Sequence, residues 1–194
     1  MSDKSERIVV RKVRADAERN RVRLLETAKA AFAEKGSAAS LEEIARETGV
    51  GIGTLYRHFP TREALIEAVY RNETEQLVLA AGRLARERAP IDALREWLLL
   101  FVDYMAIKHG MSEALNSLVG GTCELYATSG QQAKDAMAML VQNATLNGDV
   151  RVIGDPLDLL RALAGVATIA TGSSGTKAAK DFVDILIAGI SKRA

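Results

Sequence analysis

Apolar residues recur at intervals of three and four along almost the whole chain, the pattern of helices that each bury one stripe. Val22, Leu25, Ala28 and Phe32 share a face between about Asp16 and Lys35, and Gly36 stands where that helix should stop. Ser40 followed by Leu41-Glu42-Glu43 reads as a capping box: the serine hydroxyl takes a backbone N–H and Glu43 reaches back. Leu41, Ile44 and Ala45 then point inward for about two turns, until Thr48-Gly49-Val50-Gly51 forces a bend. A third short helix runs from Ile52 to Phe59, anchored by Leu55 and Phe59 and ended by Pro60. Thr61 caps a fourth, long helix that continues from Arg62 toward Arg88.

Pro90 opens a helix with a wide apolar face, Leu94, Trp97, Leu98, Phe101 and Met105, ending at His109-Gly110. A shorter segment from Ser112 to Val119 stops at Gly120-Gly121, and Cys123 to Ala127 adds a turn or two. Ala133, Met137, Leu140, Val141 and Ala144 mark another helix, Gln131 to Leu146, closed by Asn147-Gly148-Asp149. Asp155 caps a helix to about Thr171, and a Gly/Ser/Thr loop follows to Lys177. The last helix, around Phe182 to Ile190, is apolar round much of its circumference and so is buried on more than one side. The nearest approach to strand alternation is Val150 to Ile153, too short for a sheet, so the fold class is all-α.

Composition narrows the function classes. The 194 residues are 48% hydrophobic, enough for a sizeable core, yet no run of apolar residues is long enough to span a bilayer and the N-terminus is charged throughout. A cytoplasmic protein is expected. One cysteine and two histidines argue against a disulfide framework or a structural metal, and no cofactor is implied. The net charge of +1 hides an asymmetry: residues 1–62 carry 13 Lys and Arg against 9 Asp and Glu, which leaves 13 against 16 for the remainder. Residues 1–15 read as a basic, flexible arm in which Arg11, Lys12 and Arg14 are placed to meet a polyanion, with a merely solubilising tail as the alternative that charge alone leaves open.

Two short helices joined by a glycine-containing turn, with a third behind, are the elements of a helix-turn-helix whose second member enters the major groove of DNA. In the helix after the bend, Thr54, Tyr56, Arg57 and His58 can address a groove or phosphates, while the interleaved Leu55 and Phe59 must pack inward. One side is for packing and the other for a partner.

Over Leu24 to Val69 the sequence resembles the TetR-type (tetracycline-repressor-like) regulators. The resemblance is carried by Ala31-Phe32-Ala33-Glu34-Lys35-Gly36, Ser40-Leu41-Glu42-Glu43-Ile44-Ala45, Gly49 to Pro60, and Glu63-Ala64-Leu65. It implies that Ile52, Gly53, Thr54 and Arg57 approach base edges and that Thr54, Tyr56, His58 and Arg62 grip phosphates, with Thr27 and Ser40 as additional backbone contacts. Gly51 stands where many members have serine, and Arg62 where lysine is common. The implied architecture is a helix-turn-helix domain at 16–62 followed by a helical ligand-binding and dimerisation domain at 63–194. The last two helices, Pro156 to Ala170 and Ala178 to Ser191, would join a homodimer on a near-palindromic double-stranded operator, released by a small-molecule inducer. The helix Arg62 to Arg88 would transmit the change.

Trp97, Phe101, Tyr104, Met105, Met111, Tyr126 and Met137, with Met139, are together candidates to line an apolar pocket; plain core packing is the alternative for each. With no evident charge in that set, an apolar or aromatic inducer is expected. His109 suits the terminal carbonyls of its helix, Cys123 a small buried hydrophobe, and Asp103 and Glu124 solvent. Neither paired carboxylates nor a nucleophile elbow nor a phosphate-cradling loop is present, so an enzyme is not expected. The surviving rival is a ligand-independent DNA-binding or scaffold dimer, which a filled core between residues 94 and 140 would favour.

Overall fold

The computed structural model describes the backbone of residues 2–118, 122–151, 155–169 and 173–192, and the side chains of 16–118, 122–151, 155–168 and 175–192. Among the described residues there are nine α-helices and no strand beyond one isolated bridge, an all-α fold. No described helix is long and apolar enough to cross a membrane. The chain forms two compact units, Met1–Val69 with Gly110–Gly120, and Tyr70–His109 with Gly121–Ala194.

The first unit holds α1 (Ser2–Lys35), a 3-10 turn (Gly36–Ala38), α2 (Leu41–Thr48), α3 (Ile52–His58), the start of α4 (Arg62–Glu87) and α6 (Ser112–Asn116). Its core gathers Leu24, Leu25, Ala28 and Phe32 of α1 with Ile44, Leu55, Leu65, Met111, Ala114 and Leu115. Leu24 takes the place expected for Val22, which is half exposed. The helix α1 begins at Ser2 rather than near Asp16, so residues 2–15 of the expected arm are helical in backbone. The contacts expected of Arg11, Lys12 and Arg14 lie outside the described side chains.

Glycine is required at two turns of this unit. Gly49 caps α2 at φ 76°, donating its N–H to the carbonyls of Ala45 and Arg46, a left-handed conformation that side chains with a Cβ rarely adopt. Gly36 has φ 54°, and a Cβ there would run into the Glu113 carboxylate. Ser37 Oγ donates to that same carboxylate across 2.6 Å.

The second unit comprises the rest of α4, then α5 (Pro90–Gly110) as far as His109, α7 (Cys123–Leu146), α8 (Pro156–Ile169) and α9 (Ser173–Ile190). Trp97 is fully buried, and its indole N–H donates to the Leu77 carbonyl at 2.9 Å. Three expected boundaries move. The two helices anticipated on either side of residue 130 are one, α7, whose buried stripe Leu125, Ser129, Ala133, Met137 advances by one turn at each step. Serine sits on that apolar face because its hydroxyl is spent on the Leu125 carbonyl, 2.9 Å away. The glycine- and serine-rich stretch expected as a loop to Lys177 is helical from Ser173, because Gly175, Ala179 and Val183 continue one buried row. Of the strand-like segment Val150 to Ile153, the described residues make a bridge between Val150 and Ser191, with Arg151 N–H donating to Ile190 O and Lys192 N–H to Asp149 O, both at 2.8 Å. Residues 152–154, like 119–121 and 170–172, lie outside the described residues. Cys123 opens α7 in an exposed position, where a first helical turn meets solvent, and so is not the buried hydrophobe expected.

Candidate functional site

The helix α3 is held by Leu55 and Phe59, both buried, and shows its other side to solvent. Ile52 and Tyr56 are exposed, Gly53 and Arg57 likewise, and Thr54 and His58 are half-buried. Among the described residues no hydrogen bond or ion pair engages the side chains of Thr54, Tyr56 or Arg57, and the space beside Gly51 and Gly53 is open. Side chains left without partners on a rigid two-turn helix are available to another molecule.

Capping fixes the neighbours of α3. Ser40 Oγ accepts the Glu43 N–H at 3.4 Å, and Thr61 Oγ1 accepts the Ala64 N–H at 3.1 Å. The expected capping box is only half made. Glu43 turns to Lys35 Nζ, 2.8 Å away, and Ser40 donates instead to Glu42. The Lys35 pairing holds the Glu43 carboxyl below its ordinary range, and the Glu42 carboxyl is also lowered, first by its own backbone N–H and then by Ser40. Thr27 Oγ1 donates to the Arg23 carbonyl at 3.0 Å.

Arg62 is turned inward. Its guanidinium donates to the carbonyls of Ala39, Gly36 and Ser37 and lies over the Phe32 ring, 5.2 Å from the centroid. The fork thus gathers the 3-10 turn onto the first turn of α4.

The second unit contains a cavity of about 270 Å³ among α4, α5, α7 and α8. Phe101, Tyr104 and Met105 line it from α5, Tyr126 and Ser129 from α7, Tyr70 from α4, and Leu157, Leu160 and Arg161 from α8. A larger hollow, about 700 Å³, is an open groove along α4 and α5 bordered by charged side chains such as Arg83, Arg86 and Asp103.

Four hydroxyls behind the cavity form a chain with one direction. Ser129 spends its proton on the Leu125 carbonyl, so it accepts from Tyr70 at 2.8 Å. Tyr70 in turn accepts from Tyr104 at 2.8 Å, and Thr74 Oγ1 stands 3.2 Å behind Tyr104. Burial, first, and the neighbouring Tyr104 push the Tyr70 phenol far above its ordinary range, so it stays protonated. Beside it the Lys108 ammonium lies 3.9 Å from the centre of the Tyr126 ring and 6.0 Å from that of Tyr70. Burial lowers the Lys108 pKa, and no carboxylate opposes the shift.

Residues 24–69 match the family described as bacterial regulatory proteins, tetR family, and residues 89–192 match the C-terminal domain described as transcriptional regulator SbtR-like. The chain belongs to the TetR family. A TetR transcriptional regulator from Streptomyces coelicolor is 41% identical, with a TM-score of 0.82 over 90% of this chain and 99% of that one. The TetR transcription regulatory protein from Mycobacterium vanbaalenii is 31% identical, with a TM-score of 0.76 over 93% and 99%. The transcriptional regulator UidR of Escherichia coli (strain K12) is 36% identical over 94 residues, which are 48% of this chain and 42% of that relative. The chain thus spans under half the length of this curated relative.

As a TetR-family protein the chain is a DNA-binding transcriptional regulator. Of the residues expected to line a pocket, the structure brings together Phe101, Tyr104, Met105 and Tyr126. Trp97 and Met137 are sealed in the core of the second unit, and Met111 in that of the first, each fully buried. The 3.6-residue period that placed them on apolar faces does not tell a wall from the packing behind it. Tyr70, Lys108 and Ser129 escaped the sequence reading, as a polar residue on a helix face is most often solvated. The absence of charge expected of the pocket is corrected by Lys108 and Arg161. Asp103 pairs with Lys180 at 2.7 Å.

Proposed function

We propose that this TetR-family regulator is a repressor that binds a near-palindromic operator as a homodimer and leaves it on binding a small molecule. The observation that carries the reading is the two-sided α3, packed through Leu55 and Phe59 and open through Ile52, Gly53, Tyr56 and Arg57. In this reading Ile52, Gly53, Thr54 and Arg57 face base edges, while Thr54, Tyr56 and His58 hold phosphates, with Thr27 and Ser40 nearby. Arg62 contributes by bracing the turn that orients α3, since its guanidinium is turned onto the carbonyls of Ala39, Gly36 and Ser37.

Dimerisation is assigned to α8 and α9, where Ile185 is 66% exposed and Leu186 and Ile187 are half-buried. Apolar side chains left at the surface of two adjacent helices favour a partner surface of the same kind. Two recognition helices related by a two-fold axis must then stand about 34–36 Å apart, or a multiple of it.

The ligand half of the reading is supported by the cavity, since the rival reading calls for a filled core between residues 94 and 140. Its wall helix α5 ends at Gly110, which packs against Ala33 of α1, and α4 runs on from Arg62 to Tyr70 at the cavity wall. A ligand favouring one arrangement of these helices shifts the population by its differential affinity.

The test is titration of the purified protein onto the DNA upstream of its own gene against salt and random competitor, with the stoichiometry measured. Specific, salt-sensitive binding of a dimer is expected. Affinity no greater than for random DNA overturns the operator assignment.

A further inference from the structure

We infer that the cavity takes a monoanionic organic acid, a carboxylate on an apolar body of one or two rings or a short acyl chain, with its charge met by Lys108. This rests on the ligand-response reading above and adds to it the chemistry of the effector.

Charge comes first. Among the described lining residues Lys108 and Arg161 are the ionisable groups with a formal charge, both cationic, and no carboxylate lines the cavity. Arg161 is two-thirds exposed and already paired with Asp158 at 2.9 Å. Lys108 is half-buried, and its neighbours are the faces of Tyr126 and Tyr70. Aromatic faces soften the cost of a desolvated cation but accept no full hydrogen bond from its three N–H groups. Sequestering an ammonium without a counter-ion is costly, as the lowered Lys108 pKa reflects. A single negative charge removes that cost; a cationic ligand would add to it.

The hydroxyl chain then decides which group can hold the anion. Each of its protons is used within the protein: Tyr104 donates to Tyr70, Tyr70 to Ser129, Ser129 to the Leu125 carbonyl and Thr74 to the carbonyl of Tyr70. Tyr70 and Tyr104 present oxygen lone pairs to the cavity and no spare O–H, so the charge of the anion falls to Lys108, the half-buried cation of the wall. The remaining wall, Phe101, Met105, Leu157 and Leu160, suits hydrocarbon. A volume of about 270 Å³ falls just below the range of ligand sites, roughly 300–1,000 Å³, which favours a body of the size stated.

The test compares acids with neutral isosteres. The probes are 1-naphthylacetate against 1-naphthylacetamide and octanoate against octanamide, followed by calorimetry on the full-length protein. The wild type should bind each acid about tenfold or more tightly than its amide, the size of a charge-assisted contact. Lys108→Met should erase the preference without lowering the unfolding temperature, since an apolar replacement removes a desolvated charge. Lys108→Gln is the second variant, with the same expectation for the preference, and covers a failure of the methionine variant to fold. Equal binding of acid and amide, binding of neither, or a preference that survives both variants overturns the proposal. Operator release is read on the same samples. An acid that binds through Lys108 but leaves DNA bound overturns the ligand-response reading and keeps the anion site. Amides and acids that release DNA equally do the reverse.

Discussion

Tyr104 gives its hydroxyl proton to Tyr70 across 2.8 Å, and the direction of that bond is set 59 residues from Tyr70, where Ser129 has spent its own proton on a helix carbonyl. A buried hydroxyl left without a partner costs about 1–3 kcal/mol. In Tyr70→Phe the Tyr104 proton can pass to Thr74 Oγ1 at 3.2 Å, because Thr74 gives its own to the Tyr70 carbonyl at 3.1 Å, and Tyr104→Phe leaves Thr74 and Tyr70 the bonds they make to that carbonyl and to Ser129. Urea unfolding should therefore show each variant destabilised by about 1 kcal/mol or less. A loss of about 3 kcal/mol in Tyr70→Phe would mean that Thr74 does not take the proton.

Arg62 offers a second test, because its guanidinium spans three carbonyls that a point-charge ammonium cannot reach at once. Arg62→Ala should lower stability by about 2 kcal/mol or more, and Arg62→Lys should recover little of it. The measurement is thermal unfolding beside DNA affinity. Unfolding unchanged while affinity falls would return Arg62 to the phosphate contacts that the sequence suggested.

On α3 the exposed Arg57 and Tyr56 should part company. Arg57→Ala should weaken operator binding more than binding to random DNA, because a base-edge contact carries about 1–3 kcal/mol of discrimination. Tyr56→Ala should weaken both alike. Competition titrations on the two DNAs measure the difference, and equal losses for Arg57→Ala would remove it from base readout.

Trp97 is the single tryptophan of the chain and stacks on Phe101, ring centroids 5.9 Å apart, with Phe101 itself at the cavity wall. Its emission should shift when 1-naphthylacetate saturates the protein, and the midpoint should agree with calorimetry. Trp97→Phe should cost about 1–3 kcal/mol by removing a buried hydrogen bond and ring volume from a fully buried site. An emission that ignores saturating ligand would place the ligand away from Phe101.

Much of this architecture was legible because it is written in short-range chemistry. Ser40, Thr61, Gly49 and Pro60 punctuate the first unit, and the alternation of Leu55 and Phe59 with Tyr56 and Arg57 exposes the two faces of α3. Legibility failed where one residue type serves two environments. The sequence suggests separate segments ending at Ala127 and starting at Gln131, yet Ser129 between them satisfies itself within α7 and the helix continues. Lys108 carries no signal in the sequence that sets it apart from other cations near helix ends, and only the convergence of α4, α5 and α7 puts two tyrosine rings beside it. Trp97 and Phe101 look alike in sequence, one turn apart, and separate into core and wall only when the opposite helices are in place.

The closeness of Gly36 to Glu113 bears on how this protein can be recombined. The DNA-binding unit is written in two pieces of sequence, since Met111, Ala114 and Leu115 complete a core whose other members lie before residue 70. A hybrid regulator spliced after Val69 would pair a foreign α6 with the native 3-10 turn. Ser37 would lose its carboxylate partner, and three buried side chains would face a surface they were not shaped for. Transplanting DNA specificity therefore requires that the segment around Ser112–Asn116 travel with the helices that read the operator.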